Sequence, residues 1–287
     1  MLEEDIKRFY IDITKVPAKT MEAYYHKVLS EDASKFTADE KHFPGLYALT
    51  RERDALRKAR AVKGQVTGPV SLGVQIVNKE RMPILYQDTE RELLLKTLKL
   101  KAKWQEDFLR RFNPNPMVFL DEPSMSLIGT VCVAVERNVA VSYIEEVLGG
   151  LGGMKGIHCC GNTDWSALLE TSANILSFDA YDWSHTLALY SSQVESFLSR
   201  GGKLAWGIVP TLNELIEKET VGSLMARLEK GLSQFTDKGI DLDEILHSSL
   251  ITPACGLGPA TPANAVKALR MTRELSTLLR KKHGLEG

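Results

Sequence analysis

The chain has 287 residues, of which 44% are hydrophobic and 25% are charged, a composition that predicts one large folded core or at most two smaller ones. Its formal net charge is -1, so there is no broad basic field to gather nucleic-acid phosphates. The charged start, Met1 to Asp5, is unlike a secretory signal, and the most apolar run, Leu127 to Val135, is too short to cross a bilayer. We therefore expect a cytoplasmic protein without nucleic-acid or membrane partners.

The predicted elements fall into two parts of the chain. Residues 1–60 are charged, helical and irregular, whereas residues 61–287 alternate short apolar runs with longer amphipathic stretches, the pattern of repeated β-α units around a parallel sheet. The predicted strands are Gln65–Leu72, Met117–Asp121, Gly156–Cys160, Ile175–Asp179, Lys203–Val209 and Leu250–Pro253. The predicted helices cover residues 88–112, 138–150, 164–173, 186–199, 221–236 and 262–283.

Repeated β-α units in chain order indicate an α/β protein with a parallel sheet, which we expect to be a single domain over residues 1–287, and the (β/α)8 TIM barrel is one fold of this kind. Such a barrel has eight strands and takes about 250 residues. Because six strands are predicted, either the opening strands of such a barrel are hidden in residues 1–60 or the chain lacks the first one or two. The resemblance described below favours the second alternative.

Four metal-ligand side chains fall at the ends of predicted strands. His158 and Cys160 lie two residues apart on one strand and therefore point to the same side, whereas Cys159 points to the other. Cys255 follows the last predicted strand, and Asp179 ends another. An isolated His-x-Cys pair is common and buried cysteines mostly pack as small apolar residues, but ligands at successive strand ends favour a zinc site.

Five motifs, in chain order, resemble the superfamily that contains cobalamin-independent methionine synthase, uroporphyrinogen decarboxylase and the methylcobalamin:coenzyme M methyltransferases. The motifs are Thr67-Gly-Pro-Val-Ser-Leu72, Phe119-Leu-Asp-Glu-Pro-Ser124, His158-Cys-Cys160, Ala173-Asn-Ile-Leu-Ser-Phe-Asp179 and Pro253-Ala-Cys-Gly-Leu257. The resemblance covers about residues 60–285 and implies a barrel of the methionine synthase/uroporphyrinogen decarboxylase type.

The resemblance also implies the roles of the site residues. Zinc, held by His158, Cys160, Cys255 and Asp179, would bind a small thiol substrate as its thiolate, and Asp179 would also touch that substrate. Asp121 would hold the amino group of homocysteine. Glu122 either acts beside Asp121 in substrate binding and catalysis or is a strand-end carboxylate bound by local backbone.

Two departures from the family pattern bear on the substrates. The segments of the first two barrel strands that hold the amino acid are not found before residue 60. The stretch Gly207 to Leu212 lacks the histidine that would protonate a leaving folate nitrogen, which favours methylcobalamin or another methylcorrinoid, carried by a corrinoid protein, over methyltetrahydrofolate as the donor.

The sequence therefore predicts a zinc-dependent homocysteine S-methyltransferase that makes methionine. Two alternatives stay open: a lyase similar to uroporphyrinogen decarboxylase, and a non-catalytic barrel remnant that binds zinc or a corrinoid.

Overall fold

The computed structural model describes residues 9–130 and 132–285. The charged start, residues 1–8, and Val131 of the apolar run lie outside the described residues. The chain divides into two compact units, Met1–Gly156 and Ile157–Gly287, and the single barrel domain over residues 1–287 stays a prediction. No helix within the described ranges is both long and apolar enough to span a membrane.

The first unit combines helices with short parallel strands. Its strands are β1 (Phe9–Tyr10), β2 (Val62–Thr67), β3 (Ile76–Val77), β4 (Pro116–Asp121) and the start of β5 (Met154–Cys159). Its α-helices are α1 (Ala18–Leu29), α2 (Pro44–Arg51), α3 (Arg53–Lys58), α4 (Pro69–Gln75), α5 (Asp88–Arg110) and α6 (Arg137–Leu148). Four 3-10 helices cover Ile13–Lys15, Ala33–Phe36, Ile84–Tyr86 and Pro123–Leu127.

The pairing of β2 with β4 aligns the carboxyl ends of the two strands. They run parallel from Val62 beside Pro116 to Thr67 beside Asp121, and the backbone N–H of Gly68 then donates to the carbonyl of Asp121 at 2.8 Å. Parallel strands end at the same edge of a sheet, so residues 67–71 and 121–124 meet there.

The segments before β2 pack against helix α5 and form a buried core with it. Trp104 and Phe108 lie four residues apart on one helical face, with ring centroids 5.4 Å apart. Phe36 and Leu56, from the segments before β2, belong to the same buried cluster. The helical character predicted for residues 1–60 is confirmed for the described part, because α1, α2 and α3 all lie there.

The second unit continues the alternation of strand and helix. It holds the end of β5, then β6 (Ile175–Phe178), β7 (Lys203–Val209) and β8 (Ser249–Pro253), with neighbouring strands in that order. The α-helices are α7 (Trp165–Leu169), α8 (Ala180–Leu187), α9 (Ser191–Ser199), α10 (Asn213–Lys218), α11 (Val221–Thr236), α12 (Leu242–His247) and α13 (Pro262–Lys282). A 3-10 turn, Ala188–Tyr190, separates α8 from α9.

A chain of aromatic rings fills the space between these strands and helices. Trp165 and Phe178 have ring centroids 6.0 Å apart, Phe178 and Trp206 are 5.3 Å apart, and Trp206 and Phe235 are 5.5 Å apart. All four rings are fully buried. This packing fixes β6 and β7 under α7 and α11, and thereby fixes the strand ends that follow.

The predicted α/β fold class with parallel strands is confirmed in both units, and each of the six predicted strands is present at least in part. The largest error in a strand boundary is at the segment predicted as a strand through Leu72, which ends its strand at Thr67 and continues as α4. Pro69 begins that helix, where its fixed φ suits the first turn and its missing N–H is not needed. The (β/α)8 type of the fold stays a prediction.

Candidate metal centre

The end of β5 presents two metal-ligand side chains to one side. His158 and Cys160 are both partly exposed, whereas Cys159 between them is fully buried, as strand alternation predicts. The Cys159 thiol lies 3.5 Å from the carbonyl oxygen of Gly161 and has the packing role that was predicted for it.

The end of β8 supplies the third side chain. The backbone N–H of Ala254 donates to the carbonyl of Val209 at 2.8 Å, which extends the pairing of β7 with β8 by one residue. The register of β7 against β8 shifts between Gly207 and Val209, and Cys255, the residue after Ala254, is exposed. The sequence predicted this position from the strand end.

These three side chains meet in the second unit. One nitrogen of His158 and the sulfurs of Cys160 and Cys255 all lie within 4.8 Å of one another. One imidazole and two thiols are ligand types that zinc prefers, and three protein ligands with an open fourth position are typical of catalytic zinc sites. The predicted convergence of His158, Cys160 and Cys255 is confirmed.

The hydrogen bonding of the His158 imidazole shows whether these residues fit a metal. Its Nδ1 lies 3.0 Å from the hydroxyl oxygen of Ser177 on β6. Its Nε2 is buried and has no hydrogen-bond partner among the described residues. A buried ring nitrogen without a partner is costly, and a metal ion bound there would satisfy it. The donor set and this nitrogen therefore fit a zinc ion.

The two thiols also affect each other's ionisation. Interaction with the neighbouring Cys160 thiol, followed by that with the His158 imidazole, lowers the pKa of Cys255. Interaction with Cys255, followed by burial, raises the pKa of Cys160. The two thiols therefore do not ionise independently, and a bound cation would favour the thiolate form of both.

Asp179, the fourth predicted ligand, is not one of the three clustered residues. It directly follows β6 and caps α8, because its Oδ1 accepts a hydrogen bond from the backbone N–H of Asp182 at 3.1 Å. Burial raises its pKa to about 6, and the nearby Cys255 contributes a smaller part of that rise. Its roles as a metal ligand and as a substrate contact stay predictions.

Glu122, in the first unit, is fully buried at the end of β4. Its carboxylate accepts hydrogen bonds from the backbone N–H of Val70 at 2.9 Å, the backbone N–H of Ser71 at 2.8 Å and the Ser71 hydroxyl at 2.7 Å. Burial nevertheless raises its pKa to about 7. The carboxylate is thus bound by backbone, but by that of Val70 and Ser71, which are distant in sequence, and not by local backbone. Catalytic and substrate-binding roles for Asp121 and Glu122 stay predictions.

The chain was compared with known proteins. No family model and no curated protein matches it.

Sequence reasoning missed two residues that shape this site. Ser177 contacts His158, and the one signal was a lone hydroxyl in the apolar strand Ile175–Phe178. Gly207 is the other: a β-carbon there would lie 2.5 Å from the carbonyl oxygen of Phe178 and 2.7 Å from the Cα of Ala254. A glycine inside a strand is itself a sign of close backbone approach.

Proposed function

We propose that this chain is a zinc-dependent S-methyltransferase that moves a methyl group to a metal-bound thiol, with homocysteine as the acceptor and methionine as the product. The observation that carries the proposal is the convergence of His158, Cys160 and Cys255 within 4.8 Å. An Asp121–Glu122 pair at another strand end, and the five motifs in family order, support the same activity.

The chain's own residues would prepare the acceptor. His158, Cys160 and Cys255 would hold the metal, and the resemblance adds Asp179 as the fourth donor. Zinc bound there lowers the pKa of a thiol ligand, so that the nucleophilic thiolate predominates at neutral pH. The protein ligands fix where that sulfur sits, and orientation of the two reactants supplies much of the rate.

For the amino group of the acceptor, the proposal rests on the resemblance alone. A carboxylate is the natural partner of the homocysteine ammonium group, and the resemblance assigns that role to Asp121 with Glu122 beside it. The acceptor would then be a small thiol with a cationic amino group, which distinguishes homocysteine from a thiol that carries a sulfonate.

The donor we propose is a methylcorrinoid, such as methylcobalamin, presented by a corrinoid protein. Methyltetrahydrofolate leaves as a nitrogen base that needs a proton, and the stretch Gly207 to Leu212 offers no histidine to supply it. A methyl group leaving cobalt needs no such proton. The absence of a histidine here is the reason for preferring the corrinoid.

The proposal is tested by methyl transfer with the zinc-loaded full chain. Methylcobalamin and methyltetrahydrofolate are each paired with homocysteine and with coenzyme M, and the products are identified by mass spectrometry. We expect methionine from methylcobalamin and homocysteine, and loss of that product in Cys160→Ser. Zinc binding without transfer from any pair would contradict the enzyme and support a non-catalytic zinc-binding barrel. Decarboxylation of uroporphyrinogen would instead support the lyase alternative.

A further inference from the structure

Ser177 is a buried hydroxyl in an otherwise apolar strand. Its neighbours on β6, Leu176 and Phe178, are fully buried, and Ser177 itself is only 7% exposed. Burying a hydroxyl is unfavourable unless it makes a hydrogen bond. Its partner is the Nδ1 atom of His158, 3.0 Å away. The hydrogen bond with the imidazole therefore offsets the cost of burying the serine hydroxyl.

The proton between these two groups can lie on either side. If the Ser177 hydroxyl donates to Nδ1, the neutral ring carries its proton on Nε2. If Nδ1–H donates to the Ser177 oxygen, Nε2 keeps a lone pair. Nε2 is buried and makes no hydrogen bond in the described part of the chain, and the sulfurs of Cys160 and Cys255 lie close to the ring, so a lone pair on Nε2 could share a cation with them.

We propose that Ser177 is a positioning residue that accepts a hydrogen bond from Nδ1–H of His158, and so fixes the ring and its tautomer with Nε2 ready for the metal. This inference rests on the proposed metal-dependent function. A hydrogen bond to the second nitrogen of a ligand histidine sets ring orientation and ligand basicity. Loss of such a partner typically weakens metal binding about 10- to 100-fold.

Three variants separate this role from simple packing. Ser177→Ala removes the hydroxyl, and Ser177→Thr keeps it. Ser249→Ala is the matched control, because the Ser249 oxygen also accepts a hydrogen bond from a ring N–H, that of Trp206, at 2.9 Å, at the opposite end of β8 from Cys255. Thermal unfolding of each metal-free variant checks that the fold is retained.

Zinc affinity, measured by competition with a chromogenic chelator, is the first readout. We expect Ser177→Ala to bind zinc about 10- to 100-fold more weakly than wild type, with Ser177→Thr restored to within a few-fold. Ser249→Ala should lose thermal stability but keep wild-type zinc affinity. Wild-type affinity in a folded Ser177→Ala protein would overturn the proposal, as would an equal loss of affinity in Ser249→Ala.

The tautomer of His158 is a second readout that needs no activity. Nitrogen-15 correlation spectra of histidine-labelled protein, with His158→Gln to assign the signal, report which ring nitrogen carries the proton. We expect Nδ1–H in zinc-loaded wild type, and in metal-free protein a signal that changes in Ser177→Ala but not in Ser249→Ala. If wild type binds no zinc, the proposed function fails, while an unchanged metal-free His158 signal in Ser177→Ala separately overturns the role of the serine.

Discussion

Gly207 in β7 lies so close to Ala254 that a β-carbon on Gly207 would be 2.7 Å from the Cα of Ala254. The same β-carbon would lie 2.5 Å from the carbonyl oxygen of Phe178. Both neighbours are backbone atoms, and each directly precedes a predicted ligand, Cys255 in one case and Asp179 in the other. The missing side chain at Gly207 therefore allows the ends of β6 and β8 to lie close to β7, one on each side of it.

Substitution Gly207→Ala should disturb the metal centre from outside it. The added methyl group must displace one of the two backbones, so we expect zinc affinity to fall at least tenfold and the free energy of unfolding to fall by about 1–3 kcal/mol. Chelator competition and denaturant unfolding measure the two effects. Gly256→Ala is the control, since a β-carbon there meets nothing within 4 Å although Cys255 is its neighbour. Equal zinc affinity in the two variants would refute this coupling.

The effect of a cysteine substitution should depend on whether that cysteine belongs to the metal-ligand cluster. Cys160→Ser and Cys255→Ser each remove a thiolate ligand, and we expect both to lose bound zinc after dialysis. Cys159→Ala, whose side chain is fully buried on the other side, should keep one zinc per chain and lose about 1 kcal/mol of stability. Metal analysis by mass spectrometry decides the matter, and full zinc occupancy in Cys160→Ser would exclude that residue as a ligand.

The capping and metal-binding roles of Asp179 can be separated by two variants. Asp179→Asn keeps an oxygen that accepts the hydrogen bond from the backbone N–H of Asp182, whereas Asp179→Ala loses the cap at a cost of about 1 kcal/mol. If Asp179 donates to the metal, both variants should bind zinc more weakly by a similar factor. Wild-type zinc affinity in Asp179→Asn would leave Asp179 as a helix cap alone.

Burial of Glu122 should make stability depend on pH. Its pKa is about 7 in the folded chain against a model-peptide value of 4.5, so the folded state holds a proton that the unfolded state has lost between these values. The contribution is complete below pH 4.5 and is lost as pH rises towards 7. We therefore expect the free energy of unfolding to fall across this window in wild type by more than in Glu122→Gln.

The glutamine variant isolates this effect because other titrating groups cancel in the difference. Denaturant unfolding of both proteins at several pH values between 4.5 and 8 gives that difference directly. Glutamine also replaces an acceptor that the backbone N–H groups of Val70 and Ser71 require, so it should be less stable than wild type at low pH. A difference that does not change with pH would show that Glu122 does not titrate in this range.

The regular part of the fold followed from sequence because strands and helices there differ in period and length. The error at Thr67–Leu72 has a physical cause: a short apolar run fits a buried strand or a buried helical turn equally well by periodicity. A contact that is distant in sequence supports the helical turn: the carboxylate of Glu122 accepts hydrogen bonds from the backbone N–H groups of Val70 and Ser71. No local pattern contains that contact.

The candidate site was predicted to the extent that strand geometry determines it. Alternation placed His158 with Cys160, and the end of a strand placed Cys255. Contacts between strands were not predictable in the same way, because the register of β6 against β5 decides that Ser177 meets His158. Asp179 precedes a helix, and an aspartate in that position is a cap signal, so the sequence was compatible with both of its roles.

The central claim is that His158, Cys160 and Cys255 hold one divalent metal ion through one nitrogen and two sulfurs. Titration of the metal-free chain with cobalt(II), followed by zinc, tests this directly, since thiolate-to-cobalt charge-transfer absorption scales with the number of sulfur ligands. We predict saturation at one cobalt per chain with two-thiolate intensity, halved in Cys160→Ser or Cys255→Ser and abolished by zinc. A titration without charge-transfer absorption, or one unchanged in both cysteine variants, would contradict the account.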